Sequence, residues 1–303
     1  MKIKDLVEEV KEELEINNIS KETIRTYGNG FNKFLEFIGE ETEVEKIKES
    51  DIKNFHRFNK DRGLKQKTQN SYISALRSLF NYAVEEEIIN KNPAMAVKLQ
   101  KAKDKKTIEI FTKEEIIKLK NWKKSSRTFR DVRDNLIVCF LLETGCRNIE
   151  ISYLREEDIN PGFVLLKITK NSKPRVVPTS RTLEKMMRRY MRVKEEYFKK
   201  LGKYGKTEDY FILSKSGNRM WQQNIGQAVL RVCKDCGIPR HKSYPHNFRH
   251  THAVMMLKNT SNVHLVSRLL GHCNLSITEE YLRGLTQDDI VEMTKGNSVL
   301  ENL

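Results

Sequence analysis

Six residues from position 147 onward in this 303-residue chain carry side chains suited to work on a phosphate: Arg147, Lys170, His246, Arg249, His272 and Tyr281. An arginine stays charged and presents a planar fork that can grip two oxygens at once. Histidine donates or accepts a proton near neutrality. A lysine can serve as a general acid. A tyrosine hydroxyl can attack phosphorus, but with an ordinary pKa of about 10 it needs help to lose its proton.

The local sequence around each residue supports this chemistry. Arg147 follows Thr144-Gly145 and opens a helix, where a glycine permits close backbone approach and the helix N-terminus favours an anion. His246 and Arg249 lie three apart just after Pro245, so they share a helix face and can point at one phosphate, with Phe248 turned toward the core. Leu269-Leu270-Gly271-His272 ends a helix on a glycine C-cap, and Tyr281 follows on a short helix bearing Ile277 and Leu282. Singly, each has an ordinary reading. Arg147 could be a surface arginine, His246 and Arg249 polar residues at a helix start, Gly271 a plain cap, and Tyr281 a core residue. The order is the stronger signal: the last four residues fall 3, 23 and 9 positions apart.

A competing constellation shares one member. Cys233-x2-Cys236-x4-His241-x4-His246 has the spacing of a zinc knuckle and would use His246 as a ligand. It carries less weight, because Cys233 belongs to a helix whose apolar face includes Val229, Leu230 and Val232, and Arg249 already accounts for His246. The five cysteines are odd in number and scattered, so reduced thiols are expected and no metal is implied.

These residues need elements to hold them. In the first hundred residues the periodicity predicts four helices. The first carries Ile3, Leu6, Val7, Val10 and Leu14. The second is capped by Ser20 and stopped by Gly39, with Ile24, Tyr27, Phe31, Phe34, Leu35 and Ile38 on its apolar face. The third carries Ile52, Phe55 and Phe58 and ends near Gly63. The fourth starts around Thr68, carries Tyr72, Leu76, Leu79, Phe80 and Ala83, and cannot pass Pro93. This is a helical domain over residues 1–97. Residues 98–108, containing KLQKAKDKK, read as a basic linker. Residues 109–303 form the second domain. It opens with a capping box at Thr112 to Glu115, continues into a helix over about 130–143, and then turns at Arg147. A strand at Phe163 to Ile168 and a partner at Arg175 to Pro178 enclose a hairpin turn that holds Lys170. A long basic helix begins at Thr182, and a short strand is expected at Tyr210 to Leu213. Helices follow over about 221–236, 246–258, 262–270, 276–283 and 286–294. The fold class is mainly α with a small antiparallel β-sheet.

Charge narrows the partners. Lys and Arg number 56 against 41 Asp and Glu, a formal +15, which suits a polyanion: nucleic acid first, an anionic membrane second. No apolar run approaches the roughly 20 residues that span a bilayer. The start turns acidic at once (Glu8, Glu9, Glu12, Glu13), so it lacks the apolar core of a secretory signal, and a cytoplasmic location is expected.

The stretches TGCRNIEI (144–151), TKNSKPRVVP (169–178), PHNFRHTHA (245–253), LLGH (269–272) and Tyr281 resemble the catalytic domain of the tyrosine recombinases, also called phage integrases, with Xer-type enzymes the nearest look-alike. The N-terminal helices resemble that family's core-binding domain, through patterning such as Ser20-x-x-Thr23-x-x-x-Tyr27. Cys146 and Asn148 beside Arg147 are small departures. The resemblance implies a site-specific recombinase or integrase in which Tyr281 attacks a DNA phosphodiester, forms a 3′-phosphotyrosine and releases a 5′-hydroxyl. Arg147 and Arg249 would clamp the phosphorane oxygens, and His246 and His272 would assist, His246 being favoured to take the tyrosine proton. Lys170 would be the acid for the leaving oxygen, with Lys173 and Arg175 as rivals. No cofactor is implied. The partner would be double-stranded DNA, bound mainly through phosphates. Candidate contacts are Lys101, Lys103, Lys105, Lys106, Arg188, Arg189 and Arg192, and a C-terminal helix (Leu285, Ile290, Val291, Met293) would join a homo-tetramer on DNA. Two alternatives stay open at this point: type IB topoisomerase-like relaxation, and a non-catalytic DNA-binding protein of the same fold.

Overall fold

The computed structural model describes residues 1–99, 109–167, 174–203, 205–271, 274–282 and 285. The chain divides into two compact units, Met1–Lys105 and Lys106–Leu303.

The first unit is four helices: α1 (Ile3–Ile16), α2 (Lys21–Ile38), α3 (Glu49–Asp61) and α4 (Gln66–Glu85). Each presents an apolar stripe to one core of Ile3, Leu6, Val10, Phe31, Phe34, Ile52, Phe55, Leu76, Leu79 and Phe80. Ser20 accepts from the Thr23 amide at 3.2 Å, which fixes the start of α2. The Phe34 ring meets Phe55 at 5.2 Å and Phe80 at 6.1 Å, edge to face. Phe58 departs from the reading of α3. It is 40% exposed, and the Arg62 guanidinium lies 5.2 Å over its ring.

The second unit is built around α6 (Phe129–Thr144), whose residues are buried on nearly every side. Around it pack α5 (Lys113–Asn121), α8 (Arg181–Lys200), α9 (Gln222–Asp235) and α10 (Pro245–Thr260). Two of the buried polar groups on α6 are neighbours: Arg133 donates to Asp134 at 3.0 and 3.1 Å and to the Leu213 carbonyl at 3.0 Å. Three short helices complete the unit: α7 (Asn148–Ser152), α11 (Val263–Leu270) and α12 (Leu275–Leu282).

The sheet is antiparallel in the order β1 (Ile159–Asn160), β2 (Phe163–Leu166), β3 (Arg175–Pro178). Val164 pairs with Val177 and Leu166 with Arg175. Strand β1 is not apparent in the periodicity, because two residues are too few to show alternation. The strand expected at Tyr210 to Leu213 does not form. Phe211, Ile212 and Leu213 are buried in succession, and their backbone bonds go to Leu154, Met220 and the Tyr190 hydroxyl, leaving one isolated bridge, Leu213 to Arg219. The helix expected over 286–294 and most of the basic linker lie outside the described residues.

Candidate active site

The centre of the site is an arginine with almost no exposed surface. Arg249, in the second turn of α10, is 1% exposed, and its Nη1 and Nη2 donate to the carbonyls of Gly145 (2.8 Å) and Leu270 (2.7 Å). Those carbonyls belong to two helix ends. Gly145 caps α6 in the left-handed region (φ 59°), and Leu270 is the last residue of α11, ahead of Gly271 (φ 67°). The two glycines from TGCR and LLGH therefore turn the chain so that two orphan carbonyls meet one guanidinium. Side chains are excluded there: a Cβ on Gly145 would lie 2.6 Å from the His252 ring, and one on Gly271 would lie 3.1 Å from Arg175. Phe248, one residue before Arg249, is buried against Phe111 at 4.7 Å.

Arg147 is the N-cap of α7, and Glu150 is that helix's third residue. The Arg147 amide donates to Glu150 at 2.8 Å and its Nη1 at 3.0 Å. Glu150 is buried and also receives Arg175 through two bonds of 2.9 and 2.8 Å. Burial alone would raise the Glu150 pKa, but the bonds and charge of Arg175, with those of Arg147, outweigh it and hold the carboxyl below its usual range. The Arg175 Nε donates to the Leu269 carbonyl at 2.7 Å. Arg175, named beside Lys173 as a rival for the acid, is buried and bonded through Nε, Nη1 and Nη2.

Burial pushes the Arg249 pKa down to about 10. The charge of Arg147 pushes the same way, Tyr281 and Glu150 push back, and Arg175 adds to the lowering. All five groups therefore sit within electrostatic reach: three guanidinium groups, one carboxylate and the Tyr281 phenol. Such a cluster holds three guanidinium groups against one carboxylate, an excess of positive charge that a phosphodiester would balance.

Tyr281, on α12, is 3% exposed. Its ring lies 5.4 Å from that of His250, which in turn meets His246 at 4.4 Å. The positions 246 and 250 share a face of α10, so the histidines form a short row leading to the tyrosine. Burial, then the charge of Arg249, lowers the His250 pKa to about 4. The His252 pKa is also lowered to about 4, by burial against the bond to Leu142. Both rings are neutral near pH 7.

The structure brings together Arg147, Arg249 and Tyr281, with His246 one ring away. Lys170, Lys173 and His272 lie outside the described residues, as do Lys101, Lys103, Lys105 and Lys106. Two phosphate candidates on α8 have partners in the chain: Arg188 pairs with Glu184 at 3.5 Å, and Arg189 donates to the carbonyls of Lys124 and Ser126. The zinc-knuckle residues are engaged separately. Burial raises the Cys233 thiol to about 12, His241 pairs with Glu109 at 3.0 Å, and His246 packs on His250. Among the described residues no group of three or more His, Cys, Asp or Glu could hold a metal.

Sequence reasoning missed Glu150 and His250. Both left a signal: Glu150 sits three residues after the N-cap Arg147, as in a capping box, and His250 follows His246 by four.

Known proteins place this arrangement in context. The model of the phage integrase family matches residues 109–287, and that of the phage integrase N-terminal SAM-like domain matches residues 7–87. The tyrosine recombinase XerA of Pyrococcus furiosus is 30% identical over 100% of this chain and 99% of its own length. The tyrosine recombinase XerD of Oceanobacillus iheyensis is 27% identical over 87% of this chain and 88% of its own. In fold, the integrase of the Tn1549 transposon, solved in complex with transposon right end DNA, superposes with a TM-score of 0.76 at 16% identity, covering 97% of this chain and 99% of that one.

Proposed function

Because the chain belongs to the phage integrase family and is a site-specific DNA recombinase, we propose that Tyr281 is its nucleophile and forms a 3′-phosphotyrosine bond with one strand of duplex DNA. The Tyr281 oxygen bonds to phosphorus as the bond to the 5′-oxygen breaks. The tyrosine proton passes to a neighbouring histidine, His246 first, and Lys170 protonates the departing 5′-oxygen. A 5′-hydroxyl from a partner strand then attacks the phosphotyrosine and frees Tyr281. One phosphodiester replaces another, so the reaction consumes no nucleotide cofactor.

Arg147 and Arg249 hold the non-bridging oxygens, where negative charge grows in the transition state, and His272 donates to the same oxygens. Residues 1–97 act as the DNA-clamping domain, 98–108 as the basic linker and 109–303 as the catalytic domain. The working form is a homo-tetramer on DNA joined through the C-terminal segment, and the enzyme stays with DNA in the cytoplasm.

The observation that carries this reading is Arg249, buried and bonded to the carbonyls of Gly145 and Leu270, one position before the His250 ring that joins His246 to the buried Tyr281. A duplex nicked beside the cleavage point, so that the released 5′ fragment diffuses away, should trap wild-type protein covalently on DNA. Tyr281→Phe should trap none. Equal trapping by both proteins would remove Tyr281 from the role.

A further inference from the structure

The ring packed against Tyr281 is that of His250, which has no assigned part in the chemistry above. His250 lies on α10, one turn beyond His246 and one position after Arg249. Its ring meets Tyr281 edge to face, with centroids 5.4 Å apart and planes at 60°, and it meets His246 at 4.4 Å and 79°. The His250 Nδ1 is buried and has no hydrogen-bond partner among the described residues. Burial and the charge of Arg249 keep the imidazole neutral near pH 7, so it is a weak base for a phenol with an ordinary pKa of about 10. What His250 offers Tyr281 is therefore an uncharged ring.

Tyr281 needs such support because its helix has few holds. Among the described side chains of α12, Leu275, Glu279 and Leu282 are exposed, and Thr278 and Tyr281 are the two that are buried. Tyr281 joins a small apolar cluster with Ala253, Val254 and Leu257 of α10 and Val266 and Leu270 of α11. Those aliphatic neighbours favour burial of the phenol but set no angle for it, whereas an aromatic pair has a preferred orientation. Attack on phosphorus depends on that angle as well as on proximity.

We propose that His250 is a positioning residue for the nucleophile: its ring is the aromatic seat that holds the Tyr281 phenol at one angle beside Arg249 and keeps α12 docked on α10. This rests on Tyr281 being the nucleophile, as proposed above.

The test compares full-length wild type, His250→Ala and His250→Phe by two readouts. The first is single-turnover trapping on the nicked duplex at saturating DNA, between about pH 6 and 9. The second is nitration of Tyr281 by tetranitromethane in the DNA-free protein, mapped by peptide against Tyr190, which is fully buried in the core. His250→Ala should trap about twofold to tenfold more slowly, the range expected for one aromatic pair, with unchanged affinity for DNA. Nitration of Tyr281 should rise by a similar factor while that of Tyr190 stays low. His250→Phe keeps a ring without its nitrogens, and should return trapping and protection toward wild type with the same pH profile. Wild-type trapping by His250→Ala would overturn the proposal, as would slow trapping without added nitration of Tyr281. So would slow trapping by His250→Phe with a shifted pH profile, because the nitrogens would then carry the role. Nitration of Tyr190 rising together with Tyr281 would mark general loosening and would also overturn a specific seat. Equal trapping by wild type and Tyr281→Phe would instead remove the nucleophile assignment, so the two failures read differently.

Discussion

Glu150 sets the geometry of the site although it was not among the six residues first singled out. Its two oxygens receive Arg175 and Arg147, so one carboxylate aligns two guanidinium groups from β3 and the N-terminus of α7. Glu150→Gln keeps the shape but removes the charge, leaving three arginines to repel one another. Stability should fall by about 3 kcal/mol, in the range for breaking a buried ion pair on one side, and single-turnover cleavage should fall with it. A urea midpoint equal to that of wild type would refute this view of Glu150. A second residue-scale effect comes from the buried histidines. His250 and His252 have folded pKa values lowered to about 4 from an ordinary 6.5. Below 6.5 the unfolded chain takes up protons that the folded rings refuse, so stability present at neutral pH is lost as the pH falls toward 4, at about 1 kcal/mol per pH unit from each ring. His252→Gln should flatten that slope in unfolding experiments between pH 6.5 and 4, and an unchanged slope would count against it. That Arg249, His246 and Tyr281 lie near one another was an expectation from their order in the sequence, and the ring contacts from His246 through His250 to Tyr281, next to Arg249, agree with that placement. The Arg175 bracing was not legible in the sequence, because it depends on Leu269, 94 positions away.

At the scale of elements, the site is assembled from helix ends. The ends of α6 and α11 offer carbonyls to Arg249, and each end is turned by a glycine at positive φ. Gly145→Ala tests this directly. The left-handed backbone costs a side chain about 1–2 kcal/mol, and the new Cβ would displace His252 and Leu270, which lie 2.6 and 2.9 Å from its position. The expected result is a lower melting temperature together with slower cleavage, since Arg249 loses its alignment. A variant that melts lower but cleaves at the wild-type rate would show that the capping glycine serves folding alone. Helices read well from sequence here because each has a long apolar stripe and an identifiable stop: α2 has Ser20 and Gly39, and α6 has Thr128 and Gly145. Strands read less well. β1 has two residues, and Phe211, Ile212 and Leu213 look like a strand but fill the core without a ladder partner. Local patterning cannot tell a buried irregular run from a buried strand.

At the scale of the whole molecule, the two compact units each have their own apolar core, and the two family models fall one on each. The basic run 98–108 interrupts the apolar periodicity on both sides, and the boundary between the two units, Lys105 to Lys106, falls inside it. One molecule of this chain carries one Tyr281, whereas strand exchange cuts and rejoins two duplexes, so the mechanism proposed above calls for several copies of the chain on DNA. The segment most suited to linking them is the tail, where Leu285, Ile290, Val291 and Met293 recur at helical spacing among polar residues. Removal of residues 286–303 should leave covalent trapping on a single nicked duplex close to wild type, because Tyr281 and the arginines are retained. Joining of two duplexes should drop on the order of a hundredfold, the scale on which tethering raises local concentration. The two assays use the same protein and the same DNA site, so a folding defect would lower both, and loss of assembly alone would lower only the second. Full joining by the truncated chain would mean that the tail does not link subunits and that assembly uses another surface.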